Sequence, residues 1–271
     1  MRLATVRTDS GPRAALWRKN GWHALPARDL SAYLAAHTTA EADALAGEAL
    51  PGAVPVLPLP APGKVICCGL NYGDHILEMG RELPSHPTLF AKYADTLVGP
   101  DADIELPSGL DVDWEAELAV VVGTEIRNAT REDAEAAIAG YTVANDISIR
   151  DWQNRTLQWF QGKAWDASTP LGPVVVTPDE IDPVAGVEVT CRVNGVERQR
   201  GNTKTLVFDS ATLLAYVSTF TVLRPGDVVL TGTPGGVGMG MKPPTFLADG
   251  DLVETEIAGI GSIAATLRFS R

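Results

Sequence analysis

Short apolar, β-branched runs set the pattern of this chain, with Gly, Pro, Asn and Asp between them. Val65–Cys68, Leu118–Val122, Tyr141–Ala144, Val174–Val176, Val187–Val193, Val228–Thr231, Leu252–Ile257 and Ser262–Leu267 read as strands. Asn194-Gly195 between two polar–apolar alternations signals a hairpin. Helical patterns are few. Thr130 reads as an N-cap for Arg131–Ala139 with Gly140 as the stop, and Asp209–Thr219 reads as a second helix. Toward the N-terminus, Leu3–Val6 and Ala14–Trp17 read as short strands with Gly21 near a hairpin turn, and Ala40–Leu50 as a helix. Five prolines between Leu50 and Gly63 mark an extended linker. The boundary is placed near residue 60, giving a small N-terminal domain, 1–60, and a larger one, 61–271. Many strands with scattered helices predict a mainly β fold of the α+β class, with a barrel or sandwich-like core rather than alternating βαβ units.

The most informative alternation is Val112-Asp113-Trp114-Glu115-Ala116-Glu117-Leu118-Ala119-Val120-Val121-Val122-Gly123. Its period of two puts Asp113, Glu115 and Glu117 on one strand face and Trp114, Ala116, Leu118 and Val120 on the other. The run from Leu118 to Val122 is apolar on both faces, as in a strand covered from both sides. Carboxylates entering such a strand repel one another unless a cation lies between them. An all-carboxylate set suits a hard divalent ion; Mg²⁺ is the default, with Mn²⁺ and Ca²⁺ as alternatives. A third carboxylate, Asp146, ends the later strand Tyr141–Asn145. Arg150 and Gln153 follow it three residues apart, so on a helical turn they share a face fit to hold a small organic acid.

Charge narrows the partners. The 271 residues carry 34 acidic and 22 basic side chains, a net charge of −12. Nucleic acid and anionic membrane surfaces are therefore not expected partners. No apolar run reaches the length of a membrane span, and the first residues lack a signal-peptide core. The three cysteines, Cys67, Cys68 and Cys191, form no Cys-x-x-Cys. These features predict a cytoplasmic protein. Gly236-Val237-Gly238-Met239-Gly240 is followed by Lys242-Pro243-Pro244, which argues against the helix that a dinucleotide-binding turn requires. Gly-x-Ser-x-Gly and His-Glu-x-x-His are both absent.

Seven stretches in order carry a family resemblance: Gly69–His75, Asp113–Val121, Asn145-Asp146, Arg150-Asp151, Gly162-Lys163, Pro170–Pro173 and Thr231–Gly238. The set resembles the fumarylacetoacetate hydrolase superfamily, acylpyruvate hydrolase-like branch, from about residue 62 to 271. The resemblance implies the mixed β-sandwich roll of that family, residues 1–60 as its small variable N-terminal domain, and a homodimer. It also implies a metal-dependent enzyme acting on a 2-oxo or 2,4-dioxo acid as its small-molecule substrate. By position, Glu115, Glu117 and Asp146 become metal ligands, and His75 with Glu78 a catalytic dyad on a lid segment. Lys163 matches an active-site lysine; Arg150, Gln153 and Thr233 match substrate-holding positions. His75 and Glu78 stand three apart, so one helical turn brings them together, and a Glu on one ring nitrogen frees the other to take a proton from water.

The expected reaction is hydrolysis of the C–C bond of a 2,4-dioxo acid, with Lys163 and Arg150 stabilising the departing enolate. Oxaloacetate decarboxylation or 2-oxo-acid double-bond isomerisation is the alternative. A ligand-binding module without catalysis is disfavoured by the presence of His75, Glu78 and Lys163 together. The segments 76–87, 154–161 and 239–246 are expected to set the acyl specificity.

Overall fold

The computed structural model describes residues 1–19, 21–73, 76 and 82–270. Its larger sheet has eleven strands, nine of them in the order Gly21–Ala24, Gly11–Arg18, Arg2–Thr8, Thr169–Val176, Ile138–Asn145, Ala116–Val122, Val228–Leu230, Val65–Gly69 and Thr88–Lys92. Val54–Pro55 pairs with Arg2–Thr8, and Leu97–Val98 with Thr169–Val176. A second sheet of five runs Val196–Asn202, Glu188–Val193, Leu252–Ile257, Gly261–Ser270 and Asp101–Pro107. Most neighbours are antiparallel; Val228–Leu230 against Val65–Gly69, Gly261–Ser270 against Asp101–Pro107 and Leu97–Val98 against Thr169–Val176 are parallel. The fold is mostly β with short helices, as the patterning predicts.

The Ala116–Val122 strand shows why its run is apolar throughout. Leu118, Val120 and Val122 enter the core between the sheets, with Val189, Val253 and Leu267 from the smaller one. Ala119 and Val121 enter a second core on the opposite face, with Leu3, Leu16, Leu30 and Tyr33. The Leu30–Leu34 helix thus packs on that face, against side chains of the sheet's own N-terminal strands, Leu3, Ala14 and Leu16. Glu117 has the parity of Ala119 and Val121, so it emerges where that second apolar stripe ends.

Several elements depart from the pattern. The strand from Val112 breaks after Asp113, and Val112–Asp113 pairs instead with Ser148–Ile149. The helix after Thr130 covers only Arg131–Ala136, because Ile138–Gly140 is taken into the sheet. Thr130 and Asp133 still form the reciprocal cap. The expected Ala40–Leu50 helix stops at Leu45; Glu48 and Leu50 instead hydrogen-bond with Ala24 and Trp22. The expected boundary near residue 60 falls in a stretch, 56–64, that belongs to no strand or helix. Among the described residues no helix is long and apolar enough to cross a membrane.

Candidate active site

Sheet register brings the acidic residues together. Ala116 pairs with Asn145 and Glu117 with Ala144. At the strand ends, the Asp146 N–H donates to the Glu115 carbonyl at 2.8 Å, and the Glu115 N–H to Asn145 Oδ1 at 3.0 Å. Glu115, Glu117 and Asp146 consequently each present a carboxylate oxygen within 4.8 Å of the others. All three are buried or nearly so.

Cations face them at close range. Lys163 Nζ, 2% exposed as a residue, donates to Glu115 Oε2 at 2.6 Å and Asp146 Oδ2 at 2.8 Å. Lys92 Nζ donates to the other Asp146 oxygen. Arg150 starts the helical turn Arg150–Gln153; its Nε donates to Asp113 Oδ2 and its Nη1 to Gln153 Oε1, both at 2.8 Å. Its Nη2 lies 2.8 Å from Glu115 Oε1 but off hydrogen-bond geometry, so that contact is an ion pair only. Gly162 lets the Phe160–Lys163 turn press on this one, since a Cβ there would stand 2.5 Å from the Gln153 nitrogen and the Ile149 carbonyl.

The charges differ in how they are balanced. Burial opposes the Lys163 charge, but Asp146 and Glu115 outweigh it and raise the ammonium above its ordinary pKa. Lysine therefore acts here as a fixed cation. Burial likewise opposes the Asp146 carboxylate, and Lys163 and Lys92 outweigh it, holding it below the ordinary range. Lys163 and the Gly232 N–H relieve Glu117 only in part. Burial, then Asp146 and Glu115, push its carboxyl well above the usual carboxylate range. Asp113, Glu115, Glu117 and Asp146 outnumber Lys92, Arg150 and Lys163 by one, and Glu117 is the acid that no side-chain cation pairs with. Three converging carboxyl groups, one of which has its charge opposed until a cation arrives, fit a hard divalent ion.

Loops are pinned to this cluster by polar side chains to which the sequence assigned no role. Asp113, expected on one strand face with Glu115, ends a separate two-residue strand, and its oxygens are taken by the N–H groups of Trp114, Gly238 and Met239 and by Arg150. It thus anchors the glycine-rich loop. Gly238 is obligatory there, because a Cβ would lie 1.9 Å from the Thr245 carbonyl. Gln199, from the smaller sheet, accepts from the Ala116 N–H at 2.9 Å and donates to Thr233 Oγ1 at 2.8 Å. The Gly232 N–H donates to Glu117 Oε2 at 2.7 Å. Asn71 ties the first glycine motif to Thr231 and Phe208.

Glu115, Glu117, Arg150, Gln153, Lys163 and Thr233 line one cavity of about 340 Å³, with Asp146 buried against them. The proposed dyad, His75 and Glu78, lies outside the described residues. Sequence reasoning passed over Lys92, whose β-type context, Thr88-Leu89-Phe90-Ala91, was the available signal. It also passed over Gln199, on the strand that follows the correctly read Asn194-Gly195 turn.

Known proteins share this arrangement of chain. A family model described as fumarylacetoacetate (FAA) hydrolase C-terminal matches residues 64–268. The chain is 48% identical over 208 residues to the mitochondrial oxaloacetate tautomerase Fahd2a of Rattus norvegicus, a stretch covering 76% of this chain and 66% of the rat protein. It therefore spans slightly less than two thirds of that relative's length. The fumarylacetoacetate hydrolase of Exiguobacterium antarcticum superimposes with a TM-score of 0.88 at 36% identity, over the full length of both chains. Fumarylpyruvate hydrolase of Pseudomonas aeruginosa, solved with Mn²⁺ and pyruvate, gives 0.69 at 31% identity over 77% of this chain and 91% of that one. With the sheet order, the acidic cluster and these matches in agreement, the chain belongs to the fumarylacetoacetate hydrolase family.

Proposed function

We propose that this chain interconverts the keto and enol forms of a 2-oxo acid in a metal-dependent reaction, with oxaloacetate the first substrate to test. The observation that carries the proposal is the buried Lys163 ammonium, set in the same cavity as a carboxylate triad fit for a divalent cation. Glu115, Glu117 and Asp146 would hold the ion, Mg²⁺ or Mn²⁺, which when bound supplies Lewis acidity toward the 2-oxo oxygen.

The chain's own groups do the rest. Enolisation builds negative charge on the oxygen at C2 when a proton leaves C3. Lys163 offers a cation that is already desolvated and fixed, so its attraction to that charge costs no reorganisation. Gln153 has its Oε1 engaged by Arg150, which leaves its amide nitrogen to donate to a substrate carboxylate. Thr233, oriented by Gln199, adds a hydroxyl on the opposite wall. His75, polarised by Glu78, is the proposed group that carries the proton to and from C3. The likeness to an oxaloacetate tautomerase supports this reaction, which needs no placed water.

Hydrolysis of an acylpyruvate is the second reading, favoured by the likeness to a fumarylpyruvate hydrolase. It would use the same Lys163 to hold the leaving enolate, with His75 activating water. The test follows freshly dissolved enol-oxaloacetate by its ultraviolet absorbance, and an acylpyruvate by chromatography, each with Mg²⁺. Accelerated enol decay without acid cleavage supports tautomerisation. Cleavage of the acylpyruvate without accelerated enol decay selects hydrolysis, and neither activity rejects both.

A further inference from the structure

The cavity has a second half that the acid-binding residues do not use. Phe90, half-buried on the Thr88–Lys92 strand, lies with its ring centre 5.2 Å from Lys163 Nζ. Trp159 meets Phe90 edge to face, with centroids 5.7 Å apart and planes at 68°. An aromatic shelf thus begins beside the buried ammonium and runs outward along the cavity wall. Trp159 stands in a stretch, 154–161, whose other residues are all exposed, among them Leu157 at 98%. Its indole is nonetheless held inward, against Gly69, where a Cβ would lie 2.4 Å from Cζ3.

Leu70 and Met239 extend the same apolar lining, and both remain about two-fifths exposed. Leu70 does so from a left-handed backbone, φ 55°, a conformation that costs a branched residue free energy. Large apolar side chains exposed around a concave site mark a surface that a ligand covers. Among the described residues, Lys92, Lys163 and Arg150 lie at the head end, paired with carboxylates, and the Phe90–Trp159 shelf itself presents no cation to a group carried out along it.

We infer that, beyond short acids such as oxaloacetate, this site takes 2-oxo acids with a planar apolar tail, aromatic or conjugated, that stacks on Trp159 and Phe90, and that Trp159 sets the preference for such a tail over a methyl group. The inference rests on the 2-oxo acid reading above and adds the class of tail. Its head sits at the Lys163 end, and its tail leaves across Phe90. Stacking on aromatic rings and removal of apolar surface from water both favour such a tail over a methyl group.

Calorimetric titration in the presence of Mn²⁺ tests it, with pyruvate and phenylpyruvate as probes sharing one head group. Wild type should bind phenylpyruvate at least about tenfold more tightly than pyruvate. Trp159→Ala should bring the two affinities within about threefold, with most of the change on phenylpyruvate, and Trp159→Phe should keep most of the advantage. A thermal melt of each variant checks the fold. An unchanged ratio in Trp159→Ala, or equal affinities in wild type, overturns the shelf while the 2-oxo acid reading stands. If neither probe binds, both fall.

Discussion

Asp113→Asn isolates the residue that joins the glycine-rich loop to Arg150. The Asp113 carboxylate is fully buried and accepts from the N–H groups of Trp114 at 2.8 Å, Gly238 at 2.7 Å and Met239 at 3.0 Å, and from Arg150 Nε at 2.8 Å. Asparagine fills the same space. Whichever way its amide turns, one NH₂ now faces donors that had an acceptor. Leaving a buried donor unpaired costs about 1–3 kcal/mol. Removing one partner of a buried charge pair costs about 3–5 kcal/mol, here moderated because Glu115 still faces Arg150. A loss of about 3–5 kcal/mol is therefore expected, out of a total near 5–15 kcal/mol for a folded chain. With a urea m-value of about 3 kcal/mol per molar, the unfolding midpoint should fall by at least about 1 M. Asp151→Asn makes the same chemical change on a more exposed residue and should stay within about 0.5 kcal/mol. A midpoint for Asp113→Asn within about 0.2 M of wild type would refute the anchoring role.

Gly140→Ala should lower the thermal midpoint measurably, by about 1–3 kcal/mol of stability, because its Cβ would stand 2.5 Å from the Val176 carbonyl inside the large sheet. Asp209→Ala should cost about 1 kcal/mol by removing the cap on Ser210–Ser218. That cost should depend on pH. Burial of Asp209 is outweighed by hydrogen bonds from Arg131 and Thr212, which hold its carboxyl below the ordinary range. Its contribution is present above the unfolded carboxylate pKa and is lost as pH falls through the lower folded one. The gap between wild type and variant in denaturant melts should thus close below about pH 4.

Strands buried on both faces were the most legible part of this chain. Leu118–Val122 and Val228–Leu230 announce themselves as apolar runs because nothing along them meets water. Ala40–Leu50 misled because alanine-rich composition favours helix locally, while pairing of Glu48 and Leu50 with the 22–24 strand decides the outcome. The break after Asp113 was hidden for a related reason: two-residue alternation persists through it, but the pairing partner changes. In the site, the carboxylates were legible as costly charges in an apolar strand, and Arg150 with Gln153 as neighbours on one turn. Lys92 was not, since a lone lysine at the end of a strand reads as solvated until Asp146 is seen opposite it. Trp159 falls in the 154–161 segment expected to set specificity, although nothing local shows its ring turned onto Phe90, while Gln199 reaches the site from a distant strand, an approach no local spacing encodes.

Titration of Mn²⁺ into the wild-type chain and into Glu117→Gln tests the central claim, that Glu115, Glu117 and Asp146 form the metal centre of a 2-oxo acid site. The account predicts saturable binding to wild type, at least about tenfold weaker binding to the variant, and tighter Mn²⁺ binding when pyruvate is present. Metal-free Glu117→Gln should also melt no lower than metal-free wild type, because the change removes a carboxyl whose ionisation burial, Asp146 and Glu115 oppose. Equal Mn²⁺ affinity in the two chains, or no binding to wild type at millimolar Mn²⁺, would contradict it.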